Sequence, residues 1–423
     1  AHPASPTSFT NWKGRKIRTI QVLGVERTAD KAIKGLLGGI EGLPFDPKEW
    51  SRGIRSLYNT RVLYGIETKI EDAGEEGIDI QLRLKDRWSL IPIFDAAGTT
   101  GGGYFRLGLT DLNLGGYFTE VSATMGMLNR YLIFDFWGGH QFFLNTPLIF
   151  NVGVNRSAYS TAFYDRNGTK IDSVDWARTR ASFFFGLRHD LLVRAGLAAG
   201  LYQDAVLLSP SVLSSDKIRP QEGLRLVFEP RLTVGWSNLT DAQEEGLEWR
   251  LSGQLGDVGL ASMFTSITAT VKMAAIIGTR NNLALRSRMS WASPRRLNEA
   301  LSLGGLDSVR GYPGSRLLGR SELTLNGEWR FMAFHIPMNF LIDLDRLAVQ
   351  FVGFTDLGLM ESPDSLRELG DIRYAEIYGL WSAGLGIRLN ILRLAGSVLR
   401  LDFAHTLVPL EGWAFIFGFN QFF

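Results

Sequence analysis

The sixteen residues "GGLDSVRGYPGSRLLG", Gly304 to Gly319, hold Asp307, Arg310 and Arg316 among five glycines and a proline. An arginine offers a planar fork of donors that grips a carboxylate through two parallel hydrogen bonds. The chemistry that suits such a jointed segment is therefore a charge-assisted clamp. Parts for a reaction are missing. Cysteine is absent, which removes thiol nucleophiles, thiolate metal sites and disulfides together. The five histidines, His2, His140, His189, His335 and His405, show no metal spacing. No G-x-S-x-G elbow, phosphate loop or H-E-x-x-H occurs. The chain reads as a protein without enzyme activity, cofactor or metal.

The flanks of this segment, "NNLALRSRMSW" before it and "RSELTLNGEWRF" after it, alternate apolar and polar residues as strands do. Tight hairpins need only about two to five residues, so a connection this long calls for a reason. The wider composition favours strands too. There are 47 glycines and 27 phenylalanines in 423 residues, and no run of 18 apolar residues that would read as a membrane-spanning helix. With 45 basic against 43 acidic residues no polybasic face arises, and no nucleic-acid partner is expected. The opening "AHPASPTSFTNW" lacks a basic-then-apolar signal, so for an exported protein the signal has been removed.

Three regions are expected: an extended N-terminal segment over 1–16, a small α+β domain over 17–87, and an all-β domain over 88–423. In the second, "KIRTIQVLG" alternates as a strand. "TADKAIKGLLG" and "PKEWSRGIRSLYNT" have helical spacing, with Pro47 at a first helical position. "VLYGIETKIED" and "GIDIQLRLKD" are two more strands, which makes the order β-α-α-β-β. From Trp88 the helical period does not return, and sixteen alternating segments run from 89–98 to 412–423.

Their faces differ from those of a soluble sandwich. In 322–331, Leu323, Leu325, Trp329 and Phe331 oppose Thr324, Asn326, Glu328 and Arg330. In 413–419, Trp413, Phe415, Phe417 and Phe419 oppose Ala414, Ile416 and Gly418. Large aromatic faces against Gly, Ser, Thr, Asn and isolated charges, on an even number of strands, are the mark of a transmembrane β-barrel. Short connections follow even strands, and long ones (159–173, 205–221, 293–318, 360–376) follow odd strands. The alternation puts Glu328, Asp356, Arg388 and Asp402 on lumen-facing positions of strands 12 to 15.

At this point the motifs resemble those of a known family. Val309, Arg310, Gly311 and Tyr312 resemble the VRGY/F motif of the BamA/TamA superfamily of outer-membrane assembly and translocation barrels. "FTDLG", with Phe354, Asp356 and Gly358, is similar to that family's F-x-D-x-G and falls on the thirteenth segment. "GLGIRLN", with Arg388, and "LRLDFAHTL", with Asp402, are similar to its late strands, and the chain ends in Phe423. Residues 17–86 resemble a POTRA domain through "GLPFDP" and "LYNTRVLYGI". Two departures stand out. There is room for one POTRA domain where assembly members usually carry several, and Gln421 sits where the terminal signal usually has an apolar residue.

The resemblance implies a mainly β protein, one α+β POTRA domain followed by a 16-stranded antiparallel transmembrane β-barrel, located in the bacterial outer membrane with the POTRA domain in the periplasm. It implies a loop folded inward so that Arg310 meets Asp356, either as a lock on position or as a plug that only stabilises the barrel. Pro92, in "LIPIFDAAG", cannot donate to a ladder. It marks either a weak seam between the first and last strands or a lead-in before the first. The strand "GIDIQLRL" is expected either to offer an edge to partners or to serve as scaffold. The leading function is insertion or translocation of polypeptides. The partners implied are unfolded outer-membrane or secreted clients, outer-membrane lipids and periplasmic partners of the POTRA domain. A partner-specific secretion pore and a lipid-handling or passive structural barrel are the alternatives.

Overall fold

The structure, a computed structural model, describes residues 6–99, 102–140, 146–164, 170–189, 192–208, 220, 222–240, 243–257, 263–294, 296–305, 307–314, 316–337, 346–361, 377–391, 398–410 and 412–419. The N-terminal region runs β1 (Ile17–Leu23), α1 (Asp30–Leu36), α2 (Pro47–Asn59), β2 (Leu63–Asp72) and β3 (Ile78–Asp86). Helix α2 starts where it does because the Asp46 carboxylate accepts from the Lys48 N–H at 2.8 Å and Pro47 presets the first turn. Its Trp50, Ile54 and Leu57 bury against Ile17, Ile78, Ile80 and Leu82 of the sheet.

Two expectations need correction here. The sheet order is β1-β3-β2, with β1 parallel and β2 antiparallel to β3. The strand "GIDIQLRL" is thus the central one and has no edge to offer. Its alternate residues Ile78, Ile80, Leu82 and Leu84 are all buried, which fits that place. The sheet's edges are β1 and β2, and at the start of β1 the Ile17 N–H and carbonyl are already bonded to Leu43 and Gly42. Second, residues Pro6–Trp12 form a 3₁₀ turn instead of an extended segment. Phe9 stands edge-on to Phe45 at 6.5 Å, and burying that ring outweighs staying extended.

Eleven strands follow: β4 (Leu90–Thr99), β5 (Gly102–Leu114), β6 (Thr119–Leu128), β7 (Tyr131–His140), β8 (Leu148–Tyr164), β9 (Lys170–His189), β10 (Val193–Leu208), β11 (Gly223–Thr240), β12 (Gln243–Asp257), β13 (Phe264–Ile277) and β14 (Asn281–Ala292). A small hairpin, β15 (Leu301–Leu303) and β16 (Leu317–Gly319), precedes the last five: β17 (Ser321–Pro337), β18 (Arg346–Glu361), β19 (Ile377–Ile391), β20 (Val398–Val408) and β21 (Trp413–Phe419). Apart from the hairpin these are sixteen antiparallel strands in one closed barrel. The expected long connection at 159–173 is mostly strand, and β10 runs on to Leu208, into the expected connection at 205–221. β8 and β9 continue to Tyr164 and from Lys170, and Tyr159 stacks on its cross-strand partner Trp176 at 4.1 Å.

The barrel is inside out relative to a soluble protein. Leu385 is 71% exposed on the outer face, whereas Arg310, Arg330 and Arg388 have no exposure at all. Trp249, Met289, Trp329, Phe351 and Phe403 join the outer belt. An apolar surface of that extent is stable in hydrocarbon, not in water. The N-terminal domain closes on one end of the barrel. Asn113 donates to Thr28 Oγ1 at 2.8 Å, the Ala29 N–H donates to the Gly116 carbonyl at 3.1 Å, and Ile91 and Phe118 join the domain's core.

Candidate functional site

The segment between β14 and β17 enters the barrel from the end opposite the N-terminal domain. The β15–β16 pair narrows its neck, and inside it Val309 and Tyr312 pack with Leu303, Met360 and Leu380. Gly311 has φ of +100°, a region open to glycine, and a Cβ there would meet Ala404 and Thr406 of β20 at 3.3–3.4 Å. Gly358 of β18 has ordinary φ but no room. A Cβ would lie 2.7 Å from Val309 and 2.8 Å from Leu303, so its hydrogen is what lets the segment lie on the wall.

That approach delivers Arg310 to the lumen wall. Its Nε and Nη2 donate to the two Asp356 oxygens at 2.7 and 2.9 Å, and its own backbone N–H adds a third bond at 3.1 Å. Nη1 donates to Glu328 at 2.6 Å and to Asp402 at 3.4 Å. The Phe354 ring lies under the guanidinium, 3.7 Å from its carbon to the ring centroid. Asn326 braces the other side, donating to Asp356 at 2.9 Å and to the Ser308 carbonyl at 2.7 Å. Arg388 donates to Asp402 and, at 3.2 Å, to Glu328, and Arg330 donates to Glu328 at 2.9 Å. Three arginines thus face three carboxylates, each 0–1% exposed, and the cluster is neutral as a whole. The Tyr312 hydroxyl lies within hydrogen-bond distance of the Trp381, Val408 and Pro409 carbonyls, at 2.6–3.1 Å.

A second anchor was not visible in the sequence. Ahead of the hairpin, a 3₁₀ turn at Leu297–Glu299 is bound to the wall formed by β9, β10 and β11. Arg225 donates to Glu299 at 3.2 Å and to Asp204 at 2.6 Å; Arg178 grips Asp204 at 2.7 and 2.8 Å and the Asn298 carbonyl at 2.9 Å. The polarity is reversed: here the wall supplies the arginines and the segment an acid. One segment therefore ties two walls together. These residues carry no motif: Arg178, Asp204 and Arg225 fall on expected strands, and Asn298 and Glu299 in the expected connection 293–318.

The remaining candidates stand apart from the clamp. Pro92 lies within β4, opposite Leu109 of β5, and is exposed. The junction that closes the barrel, β21 with β4, has three register pairs among the described residues: Phe415 with Gly98, Ile416 with Ala97, and Phe417 with Ala96. Every other junction has at least seven. Pro92 falls beyond that paired stretch. Phe423 lies outside the described residues. Among the described residues no group of acidic or histidine side chains has metal-binding geometry.

No known family model matches this chain, and no curated protein matches it by sequence. Solved structures do match. The chain is similar to BamA from Haemophilus ducreyi lacking POTRA domains 1-3, with a TM-score of 0.56 at 15% identity over 96% of this chain and 84% of that one. It is similar to CdiB from Escherichia coli, TM-score 0.64 at 15% identity over 96% and 76% of the two chains. CdiB from Acinetobacter baumannii gives 0.61 at 14% identity over 98% and 76%. At such identities the likeness is one of fold.

Proposed function

We propose that this chain spans a bacterial outer membrane, holds its N-terminal domain in the periplasm as a single POTRA module, and inserts or translocates polypeptides at the β21–β4 seam. The observation that carries the reading is the buried Arg310 clamp. It fastens a lumen segment to β17, β18 and β20, while the ladder with the fewest pairs among the described residues lies at the neighbouring junction, β21 with β4. A short ladder costs little to open, and an opened strand offers unpaired N–H and C=O groups to an incoming strand. The clamp holds the adjoining wall in register while that edge is free. The β2 edge of the periplasmic domain would receive clients or partner proteins in the same way. Client folding supplies the driving force, and outer-membrane lipids surround the seam.

Photocrosslinkers at Ile93 in β4 and at Ile70 in β2 test this in living cells. Capture of unfolded outer-membrane barrels supports insertion. Capture of one dedicated exoprotein supports the secretion pore, which the plugged lumen also suits. Absence of any polypeptide adduct at both positions sinks both.

A further inference from the structure

Charge is unevenly spread around the lumen. The ladder registers place Arg194, Thr233, Arg250, Thr270, Arg288 and Thr324 in one row across six adjacent strands, β10 to β14 and β17. The next row on the same face holds Glu248, Lys272, Arg286, Asn326 and Asp356, and so ends at the Arg310 clamp. Five cations, Arg194, Arg250, Lys272, Arg286 and Arg288, thus form a band on the inner wall.

Several of them share a partner. Glu248 accepts from both Arg194, at 2.9 Å, and Arg250, at 2.5 Å. Glu322 pairs with Arg288 at 2.9 Å. Arg286 donates to Asn326 Oδ1 at 3.1 Å and to the Asp307 carbonyl, among other contacts. Lys272 forms no hydrogen bond or ion pair among the described residues, although Arg286 is its direct cross-strand partner. Of the acids nearby, Glu244 pairs with Arg330 at 3.5 Å and Asp356 with Arg310. Arg194 and Arg250 share one carboxylate, and Lys272 meets a like charge directly across the ladder, an arrangement that opposes folding, since such charges repel. The band is also open: the Arg250 and Arg194 side chains are 52% and 38% exposed to the lumen. A low-dielectric wall around such a strip concentrates anions along it.

We infer that this band is a docking track for the carboxylates of an acidic, extended polypeptide segment. Lipid headgroups lie outside the barrel, on the far side of the wall that carries the band. Neighbouring strands lie about 4.8 Å apart, so Arg194, Arg250 and Arg288, on every second strand of their row, recur about every 9.6 Å. An extended chain repeats its side chains on one face about every 6.6 Å, and a run of Asp or Glu along the row meets several of them. The inference deepens the proposed function by naming the charge of the client, and it rests on that reading.

The test titrates fluorescein-labelled hexaglutamate into the full chain in neutral detergent and follows anisotropy. Hexaglutamate is expected to bind, more weakly as salt is raised, while hexalysine does not. Arg250→Gln with Lys272→Gln is expected to weaken binding by about tenfold or more. Heat-modifiable gel mobility reports whether the variant barrel is folded. If it is not, Thr270→Glu adds a carboxylate to the row and carries the same expectation. Unchanged affinity in a folded variant, or equal binding of hexalysine, overturns the proposal. So does displacement of the peptide by phosphatidylglycerol vesicles at a lower charge concentration than hexaglutamate itself requires, which would reassign the band to lipid. Client insertion without hexaglutamate binding sinks the band alone. Binding without client insertion sinks the proposed function and leaves the band standing.

Discussion

At the scale of residues, Arg310 is held by geometry as well as charge. Lysine keeps the charge but has no planar fork, so it cannot span both Asp356 oxygens, reach Glu328 and lie flat on Phe354 together. Arg310→Lys should therefore behave much like Arg310→Ala in a client-insertion assay, although only the latter changes the charge. Arg310→Ala leaves three buried carboxylates facing two arginines, a loss of about 3–5 kcal/mol for the network. Adding Asp356→Asn restores the balance at two against two, so the double variant should unfold at higher denaturant than Arg310→Ala alone. Equal midpoints would show that charge balance does not stabilise this site. Gly358→Val should push Val309 and Leu303 off the wall and expose 304–319 to protease, while the barrel still migrates as folded.

The residues of the first clamp were legible because each sits in a short motif or on an alternating strand. Those of the second clamp were not, because Asp204, Arg225 and Glu299 are ordinary charges whose meeting depends on how the segment crosses the lumen.

Among the elements, the strands were readable from their period of two, since outer and inner faces contrast so sharply. Strand ends were less so. Polar alternation persists in β8 to β11 beyond the apolar belt, and there a strand resembles a polar loop. The central place of β3 was missed because sequence order does not reveal sheet order when a crossover brings β3 between β1 and β2. In that sheet, the hydrogen bond from Arg15 holds the Asp72 carboxyl below its ordinary value, and Arg18 does the same for Asp79. A depressed folded pKa means that the unfolded chain binds protons first as pH falls. The contribution is complete above the ordinary value of about 3.9 and is lost below it. Amides of β1 to β3 should therefore exchange faster, relative to their intrinsic rates, at about pH 3 than at pH 6. The difference should be small, since both pairs are exposed. Equal protection at both values would contradict the assignment.

For the whole molecule, the segment between β14 and β17 acts as a strut between two walls, with clamps of opposite polarity at its two anchors. Glu299→Ala releases one end and leaves Arg225 to Asp204 alone. In planar bilayers this variant should stay close to a nearly closed baseline. Combined with Arg310→Ala, it should exceed the sum of the two single variants, because either clamp alone keeps the segment inside. Additive conductances would mean that the clamps act independently.

The central claim is that polypeptides enter at the β21–β4 junction, and the chain has no native cysteine to confuse a test of it. Ala96 and Phe417 are direct cross-strand partners there, at a spacing a disulfide can bridge. Proteoliposomes holding the Ala96→Cys, Phe417→Cys variant should insert a urea-unfolded eight-stranded barrel when reduced. After oxidation they should lose that activity, and regain it on adding reductant. Undiminished insertion by the fully oxidised protein would contradict the account.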